Sequence, residues 1–194
     1  MRMSRVQKVV ALGALLALAV VGGVVVLQAR DTTPDLPAEV RTIVGDPAVA
    51  LPYEVAIPAD LNGCPAATVA APAPPMTAPD TTRPAATTTV PLGDGTFLLA
   101  VCLDMSAADV EKVARGQGET AEDGLELVAA ERVSSAFGEG YAVTHRAGRQ
   151  LVTDTYVARG GWVYAVGFLR PEASPDLHRD LYEAMLASWR WADV

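Results

Sequence analysis

The chain has 194 residues, enough for one domain and short for two. Its 15 basic and 23 acidic residues give a net charge of −8; residues 1–30 hold four of the basic residues and no acidic one, which leaves 11 against 23, or −12, on residues 31–194. That balance argues against nucleic acid as a partner, because contact with phosphates would be repulsive. Two cysteines and two histidines exclude thiolate-rich zinc sites and three-histidine sites. No metal and no cofactor are expected.

Residues 9–27 form 19 consecutive positions without a charge. As a helix they span roughly 29 Å, close to the thickness of a bilayer's hydrocarbon core. Arg2, Arg5 and Lys8 precede the run, and Asp31, Asp35 and Glu39 follow it. The basic excess places residues 1–8 in the cytoplasm, residues 9–27 in the membrane as a helix, and the remainder outside. The alternative is secretion after signal cleavage, but the run is long for a signal peptide, and Leu27 stands where a cleavage site wants a small residue. The bilayer is therefore the first expected partner.

Residues 28–50 contain Pro34, Pro37 and Pro47 among scattered charges and read as a stalk. The outer domain is expected over 51–194. Cys64 and Cys102 fall on the outer side, where an oxidising compartment favours a disulfide between them. Closing that loop would stabilise the fold by roughly 4 kcal/mol in the simple closure view. Of the 28 residues from 64 to 91, 22 are proline, alanine or threonine, so the loop 65–91 is expected to be mobile.

Alternation in Tyr53–Ile57 between Pro52 and Pro58 predicts an edge or terminal strand. Phe97–Leu103 is apolar on both faces, as a central strand requires. Ser106 and Asp109 form a capping box for a short helix that Gly116 and Gly118 end. Four strands then follow between 125 and 169, the later ones joined by short turns at 145–149 and at Arg159–Gly160–Gly161, which demands antiparallel neighbours. A last helix is predicted with Ser174 as cap and Pro175 at its first position; Leu177, Leu181, Met185 and Trp189 recur along one face. The fold class is α+β: an antiparallel sheet of about five strands flanked by helices, preceded by one transmembrane helix.

Few residues invite chemistry. His145, Arg146 and Arg149 in the predicted turn offer a candidate anion site, set against a solvated hairpin. His178 stands near Asp176 and Asp180, an arrangement common on surfaces. Ser134 and Ser135 lack the context that exposes a nucleophile, and no catalytic residue is assigned. Trp162, Tyr164, Phe168 and Trp189 lie on elements expected to pack together, either as core or as a groove for an apolar ligand or partner.

Residues 141–192, with the strands YAVTHRAGRQ, LVTDTYVARGG and WVYAVGFL and the closing MLASWRW, resemble the PsbP/Mog1-like superfamily, including small extracytoplasmic proteins of actinobacteria. YEVAIPADL at 53–61 resembles its opening strand, and the proline-threonine insertion after it departs from the family pattern. The resemblance implies an antiparallel sheet flanked by helices and a non-catalytic accessory or binding role, with no transferable catalytic residue. The expected function is a membrane-anchored extracytoplasmic accessory or binding protein of the cell envelope, with an envelope protein or apolar ligand as partner. The alternatives are a small hydrolase or transferase using His145 or His178, and an assembly protein pairing through its membrane helix.

Overall fold

The computed structural model describes residues 36–57, 66–77, 88–92, 97–103, 106–116 and 125–192. The segment 9–27 lies outside these, as does Cys64; among the described residues, no helix is long and apolar enough to cross a membrane. In chain order the elements are β1 (Val40–Thr42), β2 (Tyr53–Ile57), β3 (Ala67–Ala71), β4 (Met76–Thr77), β5 (Thr88–Pro91), β6 (Phe97–Leu103), α1 (Ala107–Ala114), β7 (Glu126–Ser135), β8 (Gly138–Ala147), β9 (Gln150–Arg159), β10 (Trp162–Pro171), α2 (Arg179–Ala187) and β11 (Arg190–Trp191).

Strands β7 to β10 form the expected meander, because each pair is joined by a turn too short for a parallel return. At the tip between β9 and β10, Gly160 and Gly161 both take positive φ, 60° and 84°, which suits a two-residue hairpin. The large sheet is wider than the five strands expected: its order is β1-β7-β8-β9-β10-β6-β5-β4, eight strands, with β1 parallel to β7. A second, antiparallel sheet has the order β11-β3-β2, so Tyr53–Ile57 is an edge strand, but of the smaller sheet.

Two segments expected to be irregular carry strands. Within the predicted stalk 28–50, Val40–Thr42 pairs with Arg132–Ser134, and Ile43 is buried. Within the loop 65–91, β3, β4 and β5 are all paired, and Val69 and Ala71 are buried. Composition misleads there because alanine, threonine and valine are small enough to fill the space between two closely packed sheets without a stripe of large residues.

The central strands are buried on both faces. Tyr164, Val166 and Phe168 of β10 face α2 and the small sheet, in one cluster with Val55, Val69, Tyr182, Met185, Leu186 and Trp189. Val163 and Ala165 face the other way, in a cluster with Val110 and Ala114 of α1, Val143 and Tyr156. Helix α1 begins as expected: Ser106 Oγ accepts from the Asp109 amide (3.2 Å), and the Asp109 carboxylate accepts from the Ser106 amide (3.1 Å) and hydroxyl (2.7 Å). These donors, with Lys112, hold the Asp109 carboxyl down to about 2.

Helix α2 starts four residues later than a Ser174 cap implies. A helix beginning there would offer the Pro175 carbonyl to the Arg179 amide, but that carbonyl accepts from Arg170 Nε, and the Arg179 amide turns to Asp176 (3.1 Å). His178 becomes the N-cap, at φ 56° and without a side-chain cap. At the other end, the tip between β7 and β8 inserts Phe137 into the core. Its ring lies 4.6 Å from that of Trp189 and 5.7 Å from that of Trp191, and its carbonyl accepts from Trp191 Nε1 (3.0 Å).

Gly140 carries the tightest backbone approach in the meander: a Cβ there would stand 1.8 Å from the Tyr156 carbonyl oxygen. At Gly160 a Cβ would meet nothing within 4 Å, so only its positive φ (60°) resists substitution. Gly140→Ala is expected to destabilise the fold by more than about 2 kcal/mol, and Gly160→Ala by about 1 kcal/mol. Urea unfolding of both variants checks this; equal losses would contradict the register of β8 on β9.

Candidate functional site

The residues singled out by sequence do not assemble as one site. His145 is not in a turn but inside β8, 3% exposed and on the α1 side of the sheet, opposite Val152. Successive residues of a strand point to opposite faces, so Arg146 faces away from it. Arg146 bonds the carboxylates of Glu126 (2.6 Å) and Glu172 (2.7 Å), and Arg149 is exposed in the next turn. The anion site expected from these three residues is therefore corrected: they diverge, and the central guanidinium is already engaged by two carboxylates.

The aromatic residues do converge, as core. Phe168 stacks on Tyr182 (4.9 Å), Tyr164 meets Trp191 edge-on (4.6 Å), and Trp189 meets Phe137. Trp162 is partly buried at the cluster's margin. The rings cover one another's surface. Cys102 sits in β6 opposite Tyr164, while its expected partner Cys64 lies outside the described residues.

His178 Nε2 is buried without a hydrogen-bond partner, and neither histidine bonds a carboxylate or hydroxyl among the described residues. Burial also pushes the His145 imidazole below its ordinary range, which keeps it neutral at pH 7. The acid–base geometry needed by the hydrolase alternative is thus not formed by the described residues.

Two ionisable residues that sequence reasoning passed over mark the centre of the sheet, one on each face. On the α2 side, Arg170 is 5% exposed and has no carboxylate partner among the described residues. Its needs are met by neutral groups. Nε donates to the Pro175 carbonyl and Nη1 to Thr153 Oγ1 (2.8 Å), and Thr153 in turn shares a proton with Thr144 (2.8 Å). Nearby, the Tyr182 hydroxyl donates to the Val166 carbonyl (2.7 Å) and is left to accept from Thr155 (2.9 Å). This network ties β9 and β10 to the turn before α2, and its role is structural.

On the α1 side, Asp154 sits in the middle of β9 between Val143 of β8 and Gly167 of β10. Every other residue of 151–157 is buried, but Asp154 retains solvent contact. Burial pushes the carboxyl up to about 7, and the Tyr156 hydroxyl, 3.5 Å away, is at the outer limit of hydrogen bonding and offsets little. The Tyr156 phenol is itself pushed well above its ordinary value by burial and by Asp154, and stays neutral.

Asp154 is thus a carboxyl in apolar surroundings, without a cationic partner among the described residues and poised to titrate near neutrality. One sequence signal points to it, a charged residue midway along a strand otherwise apolar or threonine-rich on both faces. What sequence does not supply is the register that sets Gly167 beside it.

The folded protein keeps the Asp154 proton to about pH 7, whereas the unfolded chain releases it near 3.8. The contribution of this group to stability is therefore full below about pH 4 and is lost as pH rises toward 7. Between pH 5 and 8 the wild type should lose roughly 2–3 kcal/mol relative to Asp154→Asn, measured by urea unfolding. Parallel pH profiles for the two proteins would contradict the assignment.

No family model matches the chain, and no curated protein matches it. Among solved structures it is similar to the crystal structure of LpqN, involved in cell envelope biogenesis of Mycobacterium tuberculosis, with a TM-score of 0.42 and 12% identity over 73% of this chain and 91% of that one.

Proposed function

We propose that the protein is a membrane-anchored, extracytoplasmic accessory or binding protein of the cell envelope, held to the bilayer by residues 9–27. The observation that carries this reading is the uncharged run itself, preceded by three basic residues and followed by an acidic body. The first described strand, β1, begins twelve residues beyond the run, a reach of roughly 40 Å when extended. The domain therefore works near the membrane surface. Its own surface, at −12 over residues 31–194, makes adhesion to anionic headgroups unfavourable, so the anchor and not the domain supplies attachment.

The resemblance of residues 53–61 and 141–192 to PsbP/Mog1-like proteins supports binding over catalysis. So does the setting of Asp154, where one weakly bonded carboxyl shares a sheet face with a neutral phenol and a neutral imidazole rather than with an activated nucleophile. The same compartment favours a disulfide between Cys64 and Cys102.

In cells producing the full chain, the protein should sediment with membranes through a high-salt wash. Protease added outside wall-stripped cells should degrade the domain. Recovery of the intact chain in the soluble cytoplasmic fraction would overturn the reading, and recovery of a shortened chain in the medium would replace the anchor by a cleaved signal. Maleimide added to the denatured, unreduced protein should label neither cysteine, and both after reduction; labelling of both before reduction would remove the disulfide.

A further inference from the structure

We infer that residues 36–46 form a strap that fixes how the domain sits on its anchor: the α1 face is turned toward the bilayer, and α2 with the small sheet is turned away from it. The inference rests on the anchor proposed above, and its test separates the two.

The strap crosses the edge of the large sheet from one face to the other. At its start, Leu36 packs against the α1-side cluster that holds Val110, Ala114, Val143 and Tyr156. Four residues on, β1 pairs with Arg132–Ser134 at the sheet edge. By Ile43 the chain has reached the α2 side, where that side chain is 4% exposed and clusters with Val133, Met185 and Leu186. Three further contacts hold it there. The Ile43 amide donates to the Ser134 carbonyl (2.7 Å). The Arg41 guanidinium donates to both carboxylate oxygens of Glu131 (2.8 and 3.0 Å) and to Glu183 of α2 (2.8 Å). Gly45 lies so close to α2 that a Cβ there would stand 2.9 Å from the Ala187 Cβ and 3.0 Å from the Ala184 Cα. The ion pairs of Arg41 are exposed and individually weak, so the burial of Ile43 and the β1 ladder contribute most. A segment packed on both faces cannot swivel about the sheet edge as a free stalk would.

The direction of the chain sets the orientation. Coming from residue 27, it meets the α1 face first, at Leu36. Eight residues separate Leu27 from Leu36, a reach of at most roughly 30 Å. The small sheet lies two layers away from α1, at about 10 Å per layer. To turn the small sheet to the bilayer, the tether would have to pass back around the β7 edge and would use most of that reach. With the α1 face toward the bilayer it takes the direct path. The side presented outward is then α2 with the outer surface of the small sheet, Glu54 and Ala56 among its exposed residues, and an envelope partner meets that side first.

The test places the full chain in phosphatidylcholine nanodiscs that carry an acceptor-labelled lipid. A donor dye is attached through an azide-bearing amino acid at Ala108 of α1 or at Ala56 of β2, both exposed, by a reaction that leaves the cysteines untouched. Energy transfer to the lipid should be about threefold greater from the Ala108 site than from the Ala56 site, given two layers of about 10 Å between them. Inserting about twenty glycine and serine residues between Arg30 and Asp31 should bring that ratio close to one, because a long flexible tether no longer favours the direct path. Equal transfer from the two sites in the native chain, or more from the Ala56 site, would overturn the inference. A ratio that survives the insertion would trace the orientation to contacts between domain and lipid and would overturn the strap as its cause. A chain that elutes apart from the nanodiscs would overturn the anchor, and the orientation with it. A chain that co-elutes keeps the anchor whatever the ratio.

Discussion

The strands at the centre of the large sheet, β9 and β10, are covered on both faces, and the rest of the molecule is arranged around that requirement. A side chain there has no edge through which to reach water, so an ionisable group must either find partners or give up its charge. Arg170 finds them, in a carbonyl and a threonine hydroxyl. Asp154, on the next strand and the opposite face, keeps its proton instead, because nothing nearby completes it. The contrast separates a residue whose charge is met by hydrogen bonds from one whose burial is met by protonation.

The cover on the α2 side is assembled from distant parts of the chain. Phe137 at the β7–β8 tip, Trp189 and Trp191 after α2, and Tyr164 on β10 form one continuous set of ring contacts. Arg159 lies 5.0 Å over the Trp191 ring and closes the margin. The small sheet and α2 thereby become a single lid over that face. On the other side, α1 has eight residues, and its Val110 and Ala114 pack against Val143, Tyr156, Val163 and Ala165.

Much of this architecture is legible in residue order, and for identifiable reasons. The Gly160–Gly161 turn, the Ser106–Asp109 capping box and the opposite parity of Trp162, Tyr164, Val166 and Phe168 against Val163 and Ala165 each act locally, and each is realised. The missed strands involve partners far along the chain. Val40–Thr42 becomes a strand only because Arg132–Ser134 receives it, and the strands within 65–91 exist only because β2, β6 and β11 pair with them. The start of α2 moves because Arg170 takes a carbonyl that the local pattern reserves for the helix. For the site, the shared face of Val152, Asp154 and Tyr156 is visible in the alternation, whereas the neighbours that make Asp154 unusual, Val143 and Gly167, come from register alone. His145 shows the converse error: a histidine beside two arginines resembles a polar turn, until strand parity sends it to the opposite face from Arg146.

The central claim is that Asp154 is protonated in the folded protein at conditions where ordinary aspartates are ionised. Carbon-13 NMR of the aspartate side-chain carboxyls, with the Asp154 signal assigned by its disappearance in Asp154→Asn, measures this directly. A titration midpoint near 7 for that one signal is the predicted result. A midpoint near 4, with the other aspartates, would show an ordinary solvated carboxylate and would contradict the account.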